Sequence, residues 1–383
     1  MAITPAQKEP TALAEIDRLA AAGAYERALT LSQSALLSAP GHPGIALRRI
    51  RLLTRLERLG EAAQLGRQLC RWTPDSELAW DAFADALLEA GEVAEAFEAY
   101  RKATSLRRRI GGPGRPQADL GSSPSKLRHD LEQLQWLAAQ GELPPERRKL
   151  IDSYTSVLNA LKARGATGAG AFTERERALI GAVYNRLVVW DAGASLDGPA
   201  VNPALDRSAI QTAYACQAPG MVAGDSLLTE PALTALRRFC LASTIWFEYR
   251  YRNGYLGAFM QDGFACPLLL QIAEELAAAL PDIFRHHKLR KTWAFKCDSR
   301  QDALPVHADF AAVNVNFWLT PDSANLDPEG GGLIVWDRKA PRDWDFRRYN
   351  SDTETIQSFL DETGATPITY AYRQNRALIF NSD

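Results

Sequence analysis

The sequence predicts an α+β protein with an N-terminal α-solenoid, a mainly helical middle and a C-terminal region of antiparallel β-structure. Three observations support this class. The first hundred residues repeat every 34 residues, a stretch rich in glycine, proline and serine follows, and short segments rich in β-branched and aromatic residues begin at Trp293. We therefore divide the chain into a helical repeat domain at 1–110, a linker at 111–125, and a second domain at 126–383. Within this second domain, 126–291 is mainly helical and 292–383 forms the sheet core.

The composition is typical of a soluble globular protein. Hydrophobic residues make up 46% of the chain, charged residues 23%, and the formal net charge is −2. No overall charge bias therefore favours nucleic acid or an anionic membrane as a partner. The five cysteines are scattered without CxxC spacing, which argues against a disulfide framework and favours a cytoplasmic location. The most apolar run is interrupted by Glu274 and Glu275, so we expect no membrane span.

The N-terminal repeat places small residues and prolines at constant steps. Ala28, Ala62 and Ala96 allow antiparallel helices to approach closely, and Pro40 and Pro74 end the second helix of a unit. The third copy, "ELAWDAFADALLEAGEVAEAFEAYRKAT", resembles the tetratricopeptide repeat at Trp80, Ala84, Leu87, Gly91, Ala96, Tyr100 and Ala103. The resemblance implies three stacked helix pairs. Two roles are equally open for them: a concave face that binds a protein or peptide, or a stack that only braces its neighbour or a dimer.

Helical patterns continue in the middle of the chain. Thr173 and Glu176 form the signature of a capping box and predict a helix that extends to Trp190. Two further helices are predicted, the first beginning near Thr229 and the second ending near Arg285. This region is therefore predicted to be mainly helical and to lead into the sheet that follows.

Some charged residues in these helices have an ordinary structural explanation. The basic run Arg107 to Arg109 ends the last repeat helix, where positive charge favours the helix dipole and solubility more than an anionic partner. His129 and Asp130 lie beside the apolar stripe of the next helix. We expect both to be hydrogen-bonded structural residues rather than catalytic ones.

Short strand-like segments follow Trp293. They are "TWAFKCD", "VNVNFWLT", "GGLIVWD", "PITYAYR" and "RALIFNS". Alternation within the second segment puts Asn314, Asn316 and Trp318 on one face, which is polar enough to line a pocket. His307 and Asp309 precede this strand, one residue apart, so that their side chains point the same way on an extended backbone.

The order of these segments resembles the iron(II)- and 2-oxoglutarate-dependent oxygenases, in particular the branch that contains the prolyl hydroxylases. The matching parts are "HAD" as the HxD motif, "NVNFWLTP" as the following strand, "EGGGLIVWD" as the glycine-led strand, and "NRALIFNSD" as the strand before the distal histidine. The resemblance implies a double-stranded β-helix of the jelly-roll or cupin type. Gly330 to Gly332 would then permit close backbone approach beside a pocket, or only a hairpin.

The same resemblance implies a site. His307 and Asp309 would be the catalytic metal ligands for iron(II), leaving positions for 2-oxoglutarate and O₂, with ascorbate as a further cofactor. The candidate cofactor-binding residues are Asn314, Asn316, Trp318 and Lys296. Ordinary strand packing is the alternative for the first three, and an exposed position is the alternative for the lysine.

The predicted function is a cytoplasmic dioxygenase that hydroxylates a protein side chain or a small metabolite, with the repeats binding a protein partner. No histidine follows His307, so we expect the distal metal ligand and a basic anchor for 2-oxoglutarate beyond Asp383, and we expect the fragment itself to be inactive. The alternative is a non-catalytic interaction scaffold with a degenerate oxygenase barrel. Neither nucleic acid nor a membrane is expected as a partner.

Overall fold

The computed structural model describes residues 5–112, 121–166, 170–251, 255–297, 305–325, 327 and 331–382. Its N-terminal part is an array of antiparallel helices in which each helix packs against the next. The helices are α1 (Pro5–Ala21), α2 (Tyr25–Ser38), α3 (Pro43–Arg55), α4 (Leu59–Trp72), α5 (Glu77–Ala90) and α6 (Val93–Arg108). The helical array expected from the 34-residue period is thus confirmed.

The repeated alanines and prolines have the structural roles that the sequence predicts for them. Ala28, Ala62 and Ala96 are completely buried, and their small side chains let the helices of a pair come close together. Helices α2 and α4 end two residues before Pro40 and Pro74, because proline lacks the amide proton that would continue the helix.

The helices of the array lie in two layers. Helix α3 contacts both α1 and α5, whereas the even-numbered helices approach one another less closely. Helices α1, α3 and α5 therefore form the inner layer of the array, and α2, α4 and α6 form the outer layer. We call the solvent-facing side of α1, α3 and α5 the inner face.

Seven helices occupy the middle of the chain, among the residues that the structure describes. They are α7 (Pro124–Ala139), α8 (Lys149–Ala163), α9 (Glu174–Ile180), α10 (Arg207–Cys216), α11 (Glu230–Ala242), α12 (Pro267–Ala279) and α13 (Pro281–Phe284). The capping box of Thr173 and Glu176 is present, but the helix ends at Ile180 and not at Trp190. Gly181 follows Ile180, and Asn185 takes a left-handed backbone with φ of 57°, which no right-handed helix accommodates.

The β-structure is antiparallel throughout the described strands, as expected. The strands are β1 (Met221–Gly224), β2 (Leu256–Phe259), β3 (Trp293–Lys296), β4 (Val313–Phe317), β5 (Leu333–Trp336), β6 (Pro367–Tyr370) and β7 (Ala377–Asn381). Strand β7 lies between β1 and β4, while β2 pairs with β3 and β5 pairs with β6. Two short helices, α14 (Phe346–Asn350) and α15 (Thr353–Glu362), interrupt the region predicted as sheet.

These three sheets are separate, and the described strands do not close into a barrel. The architecture is therefore α+β with a helical array and small antiparallel sheets, and the jelly roll stays a prediction. None of the helices in the described ranges combines the length and apolar character needed to cross a membrane.

The last helix of the array is fixed against the rest of the chain. Thr104 and Arg107 donate hydrogen bonds to the carbonyl oxygen of Gln261, each at 3.1 Å. Arg107 and Arg108 also bind the carboxylate of Asp262, at 3.1 and 2.9 Å. We call this group of contacts the joint. The linker predicted at 111–125 lies largely outside the described residues, and the domain boundary there stays a prediction.

Candidate functional site

The structure brings together three residues of the site predicted near β4. The Nδ2 of Asn314 donates a hydrogen bond to Oδ2 of Asp309 at 2.6 Å. The Nδ1 of His307 donates to the carbonyl oxygen of Pro305 at 2.8 Å, and its Nε2 lies 3.9 Å from Oδ1 of Asp309. Asn314 is buried, whereas His307 and Asp309 are partly open to solvent. The motif is thus a small hydrogen-bonded group at the head of a strand.

The other predicted site residues lie in different surroundings. Asn316 is half-buried on β4 and is paired opposite Leu378. The ring of Trp318 packs against Tyr372, with 5.7 Å between ring centroids. Lys296, on β3, belongs to a separate cluster described below. The structure therefore joins His307, Asp309 and Asn314, and it gives Trp318 and Lys296 their own contacts.

The donor set near β4 does not fit an iron site. An iron(II) centre of the expected type needs two imidazoles and a carboxylate, and the strand supplies one of each. No group of three or more His, Cys, Asp or Glu residues suited to a metal occurs in the part of the chain that the structure describes. Gly330 lies outside those residues. A Cβ on Gly332 would lie 2.0 Å from the carbonyl oxygen of Tyr370, so this glycine serves the close approach of β5 and β6.

A second group of charged residues is buried along α7. Lys126 binds Asp130 one turn further along the helix, and both side chains are almost inaccessible to water. Burial lowers the pKa of Lys126 and raises that of Asp130, because each charge has lost most of its hydration. We call Lys126, His129, Asp130 and Lys296 the α7 cluster.

Lys296 connects the α7 cluster to solvent. Its Nζ donates to Oε2 of Glu132 at 3.0 Å and lies 3.2 Å from Nδ1 of His129. Burial, followed by the charges of Lys296 and Lys126, holds the pKa of His129 well below its ordinary value. His129 is therefore a neutral acceptor for the lysine. His129 and Asp130 are both hydrogen-bonded, as expected, but to different partners.

A third feature lies on the inner face of the array. Glu77, Asp81, Asp85 and Glu89 follow one another at four-residue steps on α5, and this spacing puts them on one side of the helix. We call them the acidic ridge. A ridge of four carboxylates is unfavourable by itself, so the structure has to supply positive charge or keep protons on it.

The structure supplies positive charge to some of these carboxylates and raises the pKa of one of them. Arg107 from α6 binds Asp81 and lies 3.7 Å from Glu77, and Arg290 binds Glu89 at 2.6 Å. Burial raises the pKa of Asp81 to about 7, against the opposing effect of Arg107. The acidic ridge therefore adds to the contacts of the joint: Arg107 connects it to α6, and Arg290 connects it to a residue far along the chain.

The rest of the inner face is open. Leu78 lies three residues before Asp81 on the same side of α5, and 51% of its surface is exposed. Arg51 on α3 is exposed and acts electrostatically on Asp85, which places it on the same face. The inner face thus combines an exposed apolar side chain with charges of both signs.

The acidic ridge was missed by the sequence reasoning, although a signal was there. Residues 73–100 include eight acidic residues and no lysine or arginine. The overall charge of −2 conceals this local excess. A search for charges at four-residue spacing within each repeat would have found it.

The comparisons with known proteins point to the array. The family "Bacterial transcriptional activator domain" matches residues 44–128. The match therefore spans α3 to α6, the acidic ridge, and the beginning of α7. A search of curated proteins finds no match for the chain.

These findings correct the identification made from the motifs. The chain is not supported as a tetratricopeptide-repeat protein fused to an iron(II)/2-oxoglutarate oxygenase: its repeat region matches another helical family. The assignments as oxidoreductase, hydroxylase and iron-binding protein are wrong as well, since the described residues offer no metal-binding group. The motifs misled because each is short: with five histidines and 46 acidic residues in the chain, about 0.6 pairs spaced like His307 and Asp309 are expected by chance. The cosubstrates and the catalytic role given to His307 and Asp309 stay predictions.

Proposed function

We propose that this chain is a regulatory protein whose helical array recruits a protein partner, in the manner of a transcriptional activator domain. The match of residues 44–128 to that family supports the regulatory class. The stacked helix pairs support a protein as the partner, because such arrays present an extended face for contacts. The family description does not support the exclusion of nucleic acid as a partner.

The observation that carries the proposal is the exposed Leu78 on the charged inner face. An apolar side chain that is half in water, on an otherwise charged surface, gains free energy when a partner covers it. Arg51 and Asp85 beside it provide charges of opposite sign that orient the partner. Covering the exposed half of this leucine side chain contributes about 1 kcal/mol.

The proposal is tested with a promoter reporter in the native host. The chain is fused to a heterologous DNA-binding domain and placed beside a promoter, and reporter expression is compared with that of the DNA-binding domain alone. We expect the fusion to raise expression, and we expect Leu78→Glu combined with Arg51→Glu to abolish most of the gain. Both residues are exposed, and because both changes add negative charge beside the acidic ridge, circular dichroism and thermal unfolding of the variant are measured to check that it is folded.

The matched control is Leu37→Glu combined with Arg27→Glu, which changes the net charge equally. Leu37 is 77% exposed, Arg27 is also exposed, and both lie on α2, in the outer layer, so their replacement should leave the gain in expression unchanged. Equal loss in the control and the inner-face variant would show that general surface charge is responsible. Expression no higher than with the DNA-binding domain alone would refute the proposed function.

A further inference from the structure

A groove lies between the array and the middle of the chain, away from the inner face. Its volume is about 510 Å³. One wall is the turn between α5 and α6 together with the first turn of α6, and the other wall is α12. The residues that line both walls include Val93, Ala94, Leu270, Ala273, Ala277 and Leu289. We call this feature the α6–α12 groove.

The sequence explains why a groove forms there. Gly91 ends α5 with a left-handed backbone, φ 87°, so that α6 begins after a turn of two residues. The side chains of Ala94, Ala273 and Ala277 are too short to fill the space between the two helices. Leu270, Ala273 and Ala277 lie on one side of α12, and Leu268, Leu269, Ile272 and Leu276 are buried on the other. The groove is therefore an outward-facing apolar surface.

The rim of the groove is acidic. Glu92 and Glu274 are exposed on its opposite walls, and neither has an ion-pair partner among the residues that the structure describes. Glu95 also lines the groove but is bound to Arg67 at 2.8 Å. Of the nearest cations, Arg290 is paired with the carboxylate of Glu89, whereas Lys288 donates only to the backbone carbonyl oxygen of Glu89 and lies beside Gly91 in the groove wall. The carboxylates of Glu92 and Glu274 thus outnumber this one cation, and the rim keeps an excess of negative charge.

We propose that the α6–α12 groove binds a segment of the protein partner that carries an apolar side chain flanked by lysine or arginine. The inference rests on the proposed function, since it names the chemistry of the partner that the array recruits. The apolar side chain covers the alanines and leucines of the floor, and the flanking cations pair with Glu92 and Glu274. Charge complementarity selects this occupant, because an acidic or neutral segment leaves both carboxylates unpaired.

The groove also has a structural consequence for binding. Its two walls come from regions that the joint holds together, so the bound segment contacts α6 and α12 at once.

The test uses synthetic peptides and the full chain. The probe is a fluorescent amphipathic peptide with leucine on one face and lysine on the other, and its control has glutamate in place of lysine. Fluorescence anisotropy is measured for the wild type and for the double variant Glu92→Lys with Glu274→Lys. We expect binding of the lysine peptide only, weakened at least roughly tenfold by the double variant.

The control variant is Glu146→Lys with Glu362→Lys. Both residues are exposed and lie outside the groove, so the net charge changes equally while the groove is unaltered. We expect this control to bind the lysine peptide like the wild type. Equal weakening in both double variants, or equal binding of both peptides, would overturn the proposal.

Three further outcomes are decisive. If sedimentation shows self-association that the groove variant abolishes, the occupant is a second copy of the chain and the proposal is overturned. If the peptide fails to bind while the reporter still responds to the inner-face variant, the groove proposal fails and the proposed function stands. If the reporter shows no gain but the peptide binds through Glu92 and Glu274, the groove stands without the transcriptional role.

Discussion

At the scale of single residues, the α7 cluster shows how the chain tolerates buried charge. Lys126 and Asp130 neutralise each other inside the protein, and His129 is kept neutral between two lysines. A proton on His129 would add a further buried positive charge close to Lys126 and Lys296, and no free carboxylate would balance it. The cluster is therefore stable only while the imidazole is unprotonated.

This arrangement predicts a specific loss of stability in acid. The pKa of His129 is lowered in the folded protein but ordinary in the unfolded chain, so the unfolded state binds more protons below about pH 6.5. The stabilising contribution is complete above that pH and is lost as the pH falls. For one proton, the free energy of unfolding then falls by at most about 1.4 kcal/mol for each unit by which the pH is lowered. Urea unfolding at several pH values should show this loss in the wild type and not in His129→Gln.

The control for this measurement is His286→Gln. His286 is exposed, so its ring stays in water in both states and its replacement should leave the pH dependence of the free energy of unfolding unchanged. If the free energy of unfolding depends on pH in the same way in the wild type and in His129→Gln, the assignment of His129 as a buried neutral residue is wrong.

At the scale of elements, a close contact between two helices of the array depends on one glycine. Gly66 in α4 is buried against Phe83 of α5, and an added Cβ would lie 2.8 Å from the ring and 3.1 Å from the Cα of Phe83. The ring can move slightly, but the backbone of a packed helix cannot do so without cost. Helices α4 and α5 are thus held at a separation that only glycine permits.

We predict opposite effects for two substitutions in the same helix. Gly66→Ala should lower the free energy of unfolding by about 1 to 3 kcal/mol, because it pushes α4 away from α5. Gly60→Ala should raise it by up to about 1 kcal/mol, since nothing lies within 4 Å of the added Cβ and alanine favours the helix. Urea denaturation of both variants checks the pair. A stabilising Gly66→Ala would show that helix propensity outweighs packing at this contact.

The elements also show which sequence signals were reliable. The 34-residue period located the helical array, and β-branched segments located β3 to β7, because burial imposes these patterns directly on the sequence. Strands β1 and β2, "MVAG" and "LGAF", contain few such residues and were not predicted. The helix after Thr173 was predicted too long, since periodicity alone does not register a left-handed Asn185.

The sequence predicted fewer contacts of the candidate site than elements of the fold. The group of His307, Asp309 and Asn314 was found because its members are close in the chain. The contact of Lys296 with Glu132 joins residues more than 160 positions apart, and no local pattern signals it. The role of Arg107 was missed for the same reason, because a basic helix end looks alike whether it faces solvent or Asp262.

At the scale of the whole molecule, the joint decides whether the array and the rest of the chain behave as one unit. Asp262 accepts hydrogen bonds from both Arg107 and Arg108, and these arginines hold its pKa below the ordinary value although burial raises it. Arg107 also binds Asp81 on the acidic ridge. Arg107 therefore connects α5, through Asp81, to the segment before α12, through Asp262.

We predict that Asp262→Asn separates the unfolding of the two parts. The amide removes the carboxylate that Arg108 binds and one of the carboxylates around Arg107, which should cost about 2 to 4 kcal/mol. The wild type should unfold in a single thermal transition, and the variant should show an earlier, separate transition of the array in calorimetry. Asp282→Asn is the matched control, because Asp282 is exposed and its nearest arginine is 4.0 Å away. A single transition in all three proteins would mean that apolar packing of α6 alone couples the parts, and two transitions already in the wild type would support the independent domains predicted from the linker.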